Sequence, residues 1–357
     1  MSTPVPTLNP FTGSYNTASR ITQARLIEYS NWAAIPPYLR GEEPTMIYID
    51  PRGNVTHLNG PHAGKEGTQF YQNLQGEQHL PIEQVITESA YQLGATIERV
   101  IIHHRIIDAR VYIGRAGMNA LQYSMAEDRW WAGQDINQPG WFGVFTRFSG
   151  WRWIQVWPMK TVDTAQKFSP TMYGNNAAIW DIKWIAPRPY YSKPARYKAW
   201  KASESGPPKF DLDDLRWYYY GTVPVQNTGD METYVVYLVE GQGYCKVQDN
   251  DSNRMVSSPP IFQRDGLVTI NTDPIERTIM AENDAHDNLF FQIARSTSLF
   301  KFLLGGFGQR GEDIWERKYM RFVYAVPPNT TVSFDVQHTN PNATIMPVVM
   351  SRYQRSR

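Results

Sequence analysis

ATIERVIIHHRIIDARVYIG, residues 95–114, is the stretch on which the fold class turns. Val100, Ile102, His104 and Ile106 alternate on one side of it, and the apolar set then switches to Ile107, Ala109, Val111 and Ile113. A period of two marks a β-strand, and a change of phase inside one run predicts a bulge or tight bend, here near Ile106-Ile107. Working outward, Met46–Asp50 and Val55–Leu58 read as a hairpin around the turn Pro51-Arg52-Gly53-Asn54. The run GWFGVFTRFSGWRWIQVWP, residues 140–158, places Trp151, Trp153 and Trp157 on one face of a strand and Arg152, Ile154 and Val156 on the other. Both faces are bulky, so both are expected to be covered. Ala177–Ala186 reads as a further strand, with Trp180, Ile182 and Trp184 on its apolar face and Asp181 and Lys183 opposite. Between these strands, Met118, Leu121 and Met125 recur at helical spacing and predict a helix over Gly117–Trp131.

Toward the C-terminus the pattern becomes a series of short strands about ten residues apart. Candidates are Trp217–Val225, Thr233–Glu240, Gly243–Gln248, Leu267–Thr272, Thr278–Ala281, Tyr319–Ala325, Thr331–Gln337 and Thr344–Arg352, with one helix within Asn288–Leu304. Such spacing predicts an antiparallel sandwich. The proline-rich stretch Pro187–Lys209 reads as a linker, and residues 1–44 as an arm. Ser19 is placed to cap a short helix over Arg20–Ala34 that Pro36-Pro37 ends. An arm of this length has little core of its own and is expected to lie on another surface. The expected organisation is an arm (1–44), a β-rich domain with one or two helices (45–200) and a β-sandwich (201–357). No repeat is visible.

The 357 residues are 41% hydrophobic and carry Lys+Arg 35 against Asp+Glu 34. That composition supports a sizeable core and excludes a disordered chain. The formal net charge of +1 supplies no basic field of the kind that phosphate-neutralising nucleic-acid binders use. The single cysteine, Cys245, excludes an intramolecular disulfide, a CxxC pair and any zinc site built from two thiolates of one chain. The opening MSTPVPTLNP has no basic or apolar region, so no signal peptide is expected, and no apolar run is long enough for a membrane helix. Aromatic residues reach 13%, a surplus suited to β-sheets and to interfaces.

Motifs that carry chemistry are scarce. Gly305-Gly306-Phe307-Gly308 lacks the spacing of a phosphate loop, and neither GxSxG nor HExxH occurs. Asp249–Asn253 begins like a calcium loop but has Arg254 where glycine is needed and Pro260 where a bidentate Glu is needed, so a solvated hairpin turn is expected. His103-His104 sits within strand and points to opposite faces, which prevents joint chelation. His57 and His62 share a loop and can converge, with no carboxylate at a zinc-like spacing. Cys245 is expected to pack as a small buried hydrophobe. Asp211, Asp213 and Asp214 precede the aromatic run 217–220, an arrangement that sugar-cleaving enzymes use and that an acidic turn also produces. The tryptophans likewise suit either an exposed sugar platform or a buried core and subunit contact, and average tryptophan burial favours the second.

Three stretches point to a family. They are Pro44–Asn59; the strand 177–186 with its exit Pro187-Arg188-Pro189-Tyr190-Tyr191; and the series Asn227-Thr228-Gly229-Asp230, Asp265–Asp273 (DGLVTINTD) and Val326-Pro327-Pro328-Asn329. In order and turn chemistry the chain resembles the distal tail protein (Dit) family of long, flexible-tailed phages, and most of all the minor tail proteins of actinobacterial phages. The resemblance implies a ring-forming N-terminal belt domain and a galectin-like C-terminal β-sandwich. It implies a structural virion protein, not an enzyme, joining the tail tube to the tail-tip complex as a homo-oligomeric ring, a hexamer. Its partners would be further copies of itself, the tail tube protein, the tape measure protein, and the tail-associated hub and other minor tail proteins. DNA would only pass through the channel; no membrane, cofactor or metal is implied, and assembly would occur in the host cytoplasm before incorporation into the virion. Candidate contact residues are Ile27, Tyr29 and Trp32 of the arm and Trp130, Trp131, Trp141, Trp151, Trp153 and Trp157 of the Trp-rich insert. The rival reading is a carbohydrate-binding or glycan-degrading protein using its Trp clusters and paired carboxylates.

Overall fold

The computed structural model describes residues 44–88, 93–159, 169–171, 176–196, 198–276, 278–281, 314 and 320–357. The protein is mainly antiparallel β and divides into two compact units. The first comprises described residues up to Tyr191 together with Gln354–Arg357, and the second those between Ser192 and Tyr353. The expected arm helix, with Ile27, Tyr29 and Trp32, and the expected helix in 288–304 lie outside the described residues.

The first unit contains β1 (Thr45–Ile49), β2 (Val55–Asn59), β3 (Thr68–Gln75), β4 (Ile82–Thr87), β5 (Thr96–Ile102), β6 (Arg105–Gly114), helix α1 (Ala120–Ala132), β7 (Gly140–Thr146), β8 (Gly150–Pro158) and β9 (Ala177–Ala186). Antiparallel pairing runs β2-β1-β7-β8, passes from β8 to β9 at Trp157 opposite Ile185, and continues β9-β6-β3. Aromatic rings fill this curved sheet. Tyr48 stacks on Trp184 with centroids 5.2 Å apart, and Trp130 and Phe142 close around Trp184 at 6.2 and 5.8 Å. Their polar ends are satisfied: the Tyr48 hydroxyl donates to the Gly133 carbonyl at 2.9 Å and Trp184 Nε1 donates to Gln134 Oε1 at 2.8 Å. On the other side, Trp151 stacks on Trp153 at 5.1 Å and packs with Phe145, Ile47 and Ile49. Gly143 pairs with Trp153 in the ladder, and a Cβ there would lie 2.4 Å from the Trp153 ring.

Two expectations change here. The 95–114 stretch is broken at His103-His104 into β5 and β6, which belong to different sheets; the second apolar set is buried, whereas Val100, Ile102 and Ile106 are exposed. Helix α1 exists, but its buried face is Tyr123, Ala126 and Trp130, while Leu121 and Met125 are exposed. The aromatic face wins because it buries more area and finds partners in Tyr48, Trp184 and Glu127. Asn119 caps the helix, accepting from Gln122 N at 2.8 Å while Gln122 Oε1 accepts from Asn119 N.

The proline-rich stretch expected as a linker is structured. It holds β10 (Tyr191–Arg196), β11 (Trp200–Lys201), a 3-10 turn at Ala202–Glu204 and the start of β12 (Lys209–Asp211), with Tyr191 and Ala202 fully buried. The second unit adds β13 (Arg216–Asn227), β14 (Val235–Glu240), β15 (Cys245–Gln248), β16 (Met255–Ser257), β17 (Val268–Asn271), β18 (Ile279–Ala281), β19 (Thr330–His338) and β20 (Thr344–Tyr353). Its layers are β12-β13-β19-β15-β16 and β18-β17-β14-β20-β11. They meet over one core that includes Val223, Tyr237, Cys245, Ile270, Phe334 and Ile345.

The strand expected at Tyr319–Ala325 does not form over the described residues 320–325; Val326 alone makes a bridge, to Thr233. The Asp249 carboxylate accepts Val323 N at 3.1 Å and Tyr324 N at 3.2 Å, and Asn250 Nδ2 donates to the Tyr324 carbonyl. Side chains take the hydrogen bonds that a neighbouring strand would have taken. The expected hairpin turn joins β15 to β16, with Asp251 and Asn253 exposed, but its first two residues, Asp249 and Asn250, are fully buried and not solvated.

Candidate functional site

The paired-carboxylate candidate resolves into an ion cluster. Lys246 Nζ lies 2.7 Å from Asp211 Oδ2 and 2.6 Å from Asp214 Oδ2, and the Tyr218 hydroxyl donates to the same Asp214 oxygen at 3.0 Å. The ammonium also sits over the Tyr218 ring at 4.9 Å. The Lys246 hydrogen bond is the largest influence on both carboxyls and holds them below the usual carboxylate range. Burial opposes the Lys246 charge, but its two carboxylates outweigh it and hold the ammonium above its ordinary value. A glycosidase acid needs a raised pKa and an open approach to substrate. These carboxylates are depressed and share one cation, an arrangement that ties the β12–β13 turn to β15.

The histidine candidates are likewise committed. His57 Nδ1 lies 2.9 Å from Glu66 Oε1, and the rings of His57 and His62 meet edge to face at 5.6 Å. The expected absence of a nearby carboxylate is thus corrected: Glu66, nine positions on, folds back across the loop. No group of three or more His, Cys, Asp or Glu suited to a metal occurs among the described residues. His103 occupies the break before β6 and pairs with Glu83 at 2.7 Å. His338 is buried in the sandwich, and burial carries its pKa down to about 4. The Cys245 thiol is fully buried and pushed up by burial alone. An open hollow of about 410 Å³ lined by His62, Lys65, Gln69, Tyr112 and Arg115 presents no carboxylate or thiol.

Arg105 is a residue whose role no motif announced. It is buried, donating from Nε to the Pro189 carbonyl, from one terminal nitrogen to the Gly76, Glu77 and His79 carbonyls, and from the other to the Gln354 carbonyl, all at 2.7–3.0 Å. Tyr191 lies beneath it at 5.1 Å. Glu77 beside it accepts from Ser356 Oγ at 2.9 Å, and burial raises its pKa against the pull of Ser356 and Arg357. The guanidinium gathers separate chain segments through backbone carbonyls, which is a structural task.

The turn signatures that carried the family resemblance converge at one end of the sandwich. Asn227 Nδ2 donates to the Met231 and Pro327 carbonyls, both at 2.9 Å, and its Oδ1 accepts Gly229 N. A Cβ on Gly229 would lie 2.2 Å from the Arg352 carbonyl oxygen. Asp273 pairs with Arg352, and Thr272 Oγ1 accepts from Val235 N at 3.0 Å. These residues earn their place by joining loops.

Among the candidate contact residues, Trp130, Trp151 and Trp153 are buried within the single chain, and Trp131, Trp141 and Trp157 are partly exposed. The large uncovered apolar surface lies elsewhere, on the two-stranded hairpin β4–β5. Ile82 faces Ile102, Gln84 faces Val100, and Ile86 faces Ile97 across an irregularity after Val85. Directly opposed and alternate residues share a face. One side of the hairpin therefore carries Ile82, Ile86, Ile97, Val100 and Ile102, each 48–56% exposed.

The fold is thus that of a two-unit antiparallel β protein in which the candidate groups Asp211, Asp214, His57 and His103 are paired with neighbouring side chains and an apolar ribbon is half exposed. No family model and no curated protein matches the chain. Ten chains among solved structures do. One is the Dit protein of SPP1, titled a paradigm of the hub adsorption apparatus in phages infecting Gram-positive hosts (10% identity, TM-score 0.45, covering 87% of this chain and 99% of that one). Two others come from the phage P2 baseplate in its activated conformation. The calcium form has 11% identity and TM-score 0.46, and the strontium form 10% and 0.45; each covers 84% of this chain and 99% of the other.

Proposed function

We propose that this chain is a structural subunit of a phage tail tip, a distal-tail ring component that acts by assembly and not by catalysis. The observation that carries the reading is the β4–β5 ribbon, on which Ile82, Ile86, Ile97, Val100 and Ile102 are each about half exposed. An isolated hairpin is marginal in water, and five half-exposed aliphatic side chains leave roughly 500 Å² of apolar surface, as large as the largest patch on an ordinary monomer. A neighbouring subunit supplies the missing cover. The order of turn signatures from Pro44 to Asn329 supports the family, and the Asp211–Lys246–Asp214 cluster weighs against the glycan-degrading alternative.

In this reading the first unit forms the ring, a hexamer around the DNA channel, and the second is a galectin-like sandwich. The ring joins the tail tube to the tip and meets the tape measure, hub and other minor tail proteins. The near-neutral charge suits a channel that must release DNA. Gold labelling of the tagged chain in electron micrographs of isolated tails tests the assignment. Label confined to the distal end of the tube is expected; tails that contain none of the chain refute it.

A further inference from the structure

We propose that the basic hollow of the first unit is a binding site for a phosphate monoester, held by Lys65 and Arg115. The inference is independent of the tail-tip reading. The hollow, about 410 Å³, opens between the loop that joins β2 to β3 and the end of β6. Lys65 and Arg115 line it together with His62, Gln69 and Tyr112, and no acid does. Both cations are exposed and form no ion pair with any described residue. The acids on the surrounding elements are engaged elsewhere. Glu66, next to Lys65, accepts from His57 N at 3.0 Å and lies 2.9 Å from His57 Nδ1. Asp108 on β6 pairs with Lys183 at 2.8 Å, and Asp181 on β9 pairs with Arg110 at 2.7 Å. On α1, Glu127 accepts from the Tyr123 hydroxyl, and neither it nor Asp128 lines the hollow.

The backbone around the hollow is already set. Successive turns close the loop: Ala63 N donates to the Gly60 carbonyl at 3.0 Å, Lys65 N to the His62 carbonyl at 3.1 Å and Gly67 N to the Gly64 carbonyl at 2.9 Å. Gly114 N donates to the Gly67 carbonyl at 2.8 Å and pins the loop to the end of β6. Gly64 has φ +74°, and a Cβ there would lie 2.7 Å from Gln69 Oε1, so glycine lets that amide lie against the loop. Gln69 and Tyr112 are directly opposed in the β3–β6 ladder and share a face. The His62 ring meets His57 edge to face, and Glu66 in turn fixes His57. A frame that is formed beforehand loses little freedom when a ligand enters.

Charge and size select the ligand. A phosphate monoester carries about −1.5 to −2 at neutral pH, which the two cations match, whereas a carboxylate or a phosphodiester carries a single negative charge. The Arg115 fork can take two oxygens at once and Lys65 adds a point charge. The Gln69 amide, the Tyr112 hydroxyl and a His62 ring nitrogen are donors for the remaining oxygen. The volume exceeds that of a phosphate ion and falls within the ~300–1,000 Å³ of ligand pockets, so an organic group has room behind the phosphate, with the Tyr112 ring as a wall.

The experiment titrates the full chain into glycerol phosphate or inorganic phosphate at constant ionic strength and follows the ligand by phosphorus NMR line width and shift. Saturable binding of glycerol phosphate with a Kd of about 1 mM or below is expected, with no competition from glycerol and little from acetate. Lys65→Ala and Arg115→Ala should each weaken it about tenfold or more, the loss of a charge-assisted contact, with melting unchanged because both side chains are exposed. Arg99→Ala, which removes an exposed cation on β5, should bind as wild type does. Equal affinity for the two phosphates supports the site and makes the phosphate group its whole determinant; tighter binding of the ester supports the role of the Tyr112 wall as well. Absence of saturable binding, an equal loss in Arg99→Ala, or displacement by acetate at equal concentration overturns the proposal. Tighter binding of an oligodeoxynucleotide without terminal phosphate, at equal phosphate concentration, overturns it in favour of a phosphodiester chain.

Discussion

Replacing Lys246 by Met tests the electrostatic account of the second unit. The substitution keeps the aliphatic stem against Tyr218 and removes the one cation shared by Asp211 and Asp214. Stranding a buried charge costs ~3–5 kcal/mol, but Asp214 retains a quarter of its exposure, so ~2–4 kcal/mol is the expected loss. For a unit of this size that corresponds to a fall in Tm of about 4–16 °C at pH 7. The pH dependence supplies the sharper check. Both carboxyls are held below their ordinary range, so their contribution is complete above about pH 4 and is lost as pH falls through the depressed values. Lys246 is held above its ordinary range, so its contribution persists to about pH 10 and is lost only above that. Calorimetry of wild type and variant at pH 7 and pH 3 should show a smaller gap at the lower pH, because this contribution is lost as the carboxyls take up protons. A gap that stays constant between the two, or a Tm change at pH 7 below about 2 °C, would falsify the reasoning.

Trp153→Ala should cost about 3–5 kcal/mol and lower the melting temperature of the first unit, because it removes a buried ring stacked on Trp151 and seated against Gly143; wild-type melting would refute this. Asn227→Ala leaves the Met231 and Pro327 carbonyls and Gly229 N without their side-chain partner, so a loss of about 2–3 kcal/mol is expected in denaturant titration. Cys245 should resist thiol reagents until the sandwich unfolds, and rapid labelling under native conditions would show the core to be wrongly described.

The long strands of the second unit were legible, Thr344–Tyr353 and Thr330–His338 by their alternation between turn residues, whereas the three-residue strands β12 and β16 were too short to show a period and the strand expected at Tyr319–Ala325 did not form over the described residues. The phase of α1 was not: Leu121 and Met125 give the better apolar spacing, but Tyr123 and Trp130 bury more area once Trp184 lies opposite. Arg105 left no signal because its partners are backbone carbonyls, and Lys246 reaches a carboxylate 35 residues away. Of the hairpin only the β5 stretch was legible, as part of the run 95–114, while β4 with its interspersed Glu83 and Gln84 was not. A pattern of apolar side chains states that they will be covered and says nothing of whether the cover comes from the same chain.

The most direct measurement is the mass of the purified full chain in solution, by light scattering over a range of concentrations, with negative-stain images of the same sample. A closed oligomer of defined size, seen as a ring, is the result this account requires. A subunit that remains single at concentrations well above the micromolar range, its ribbon still exposed, would contradict it.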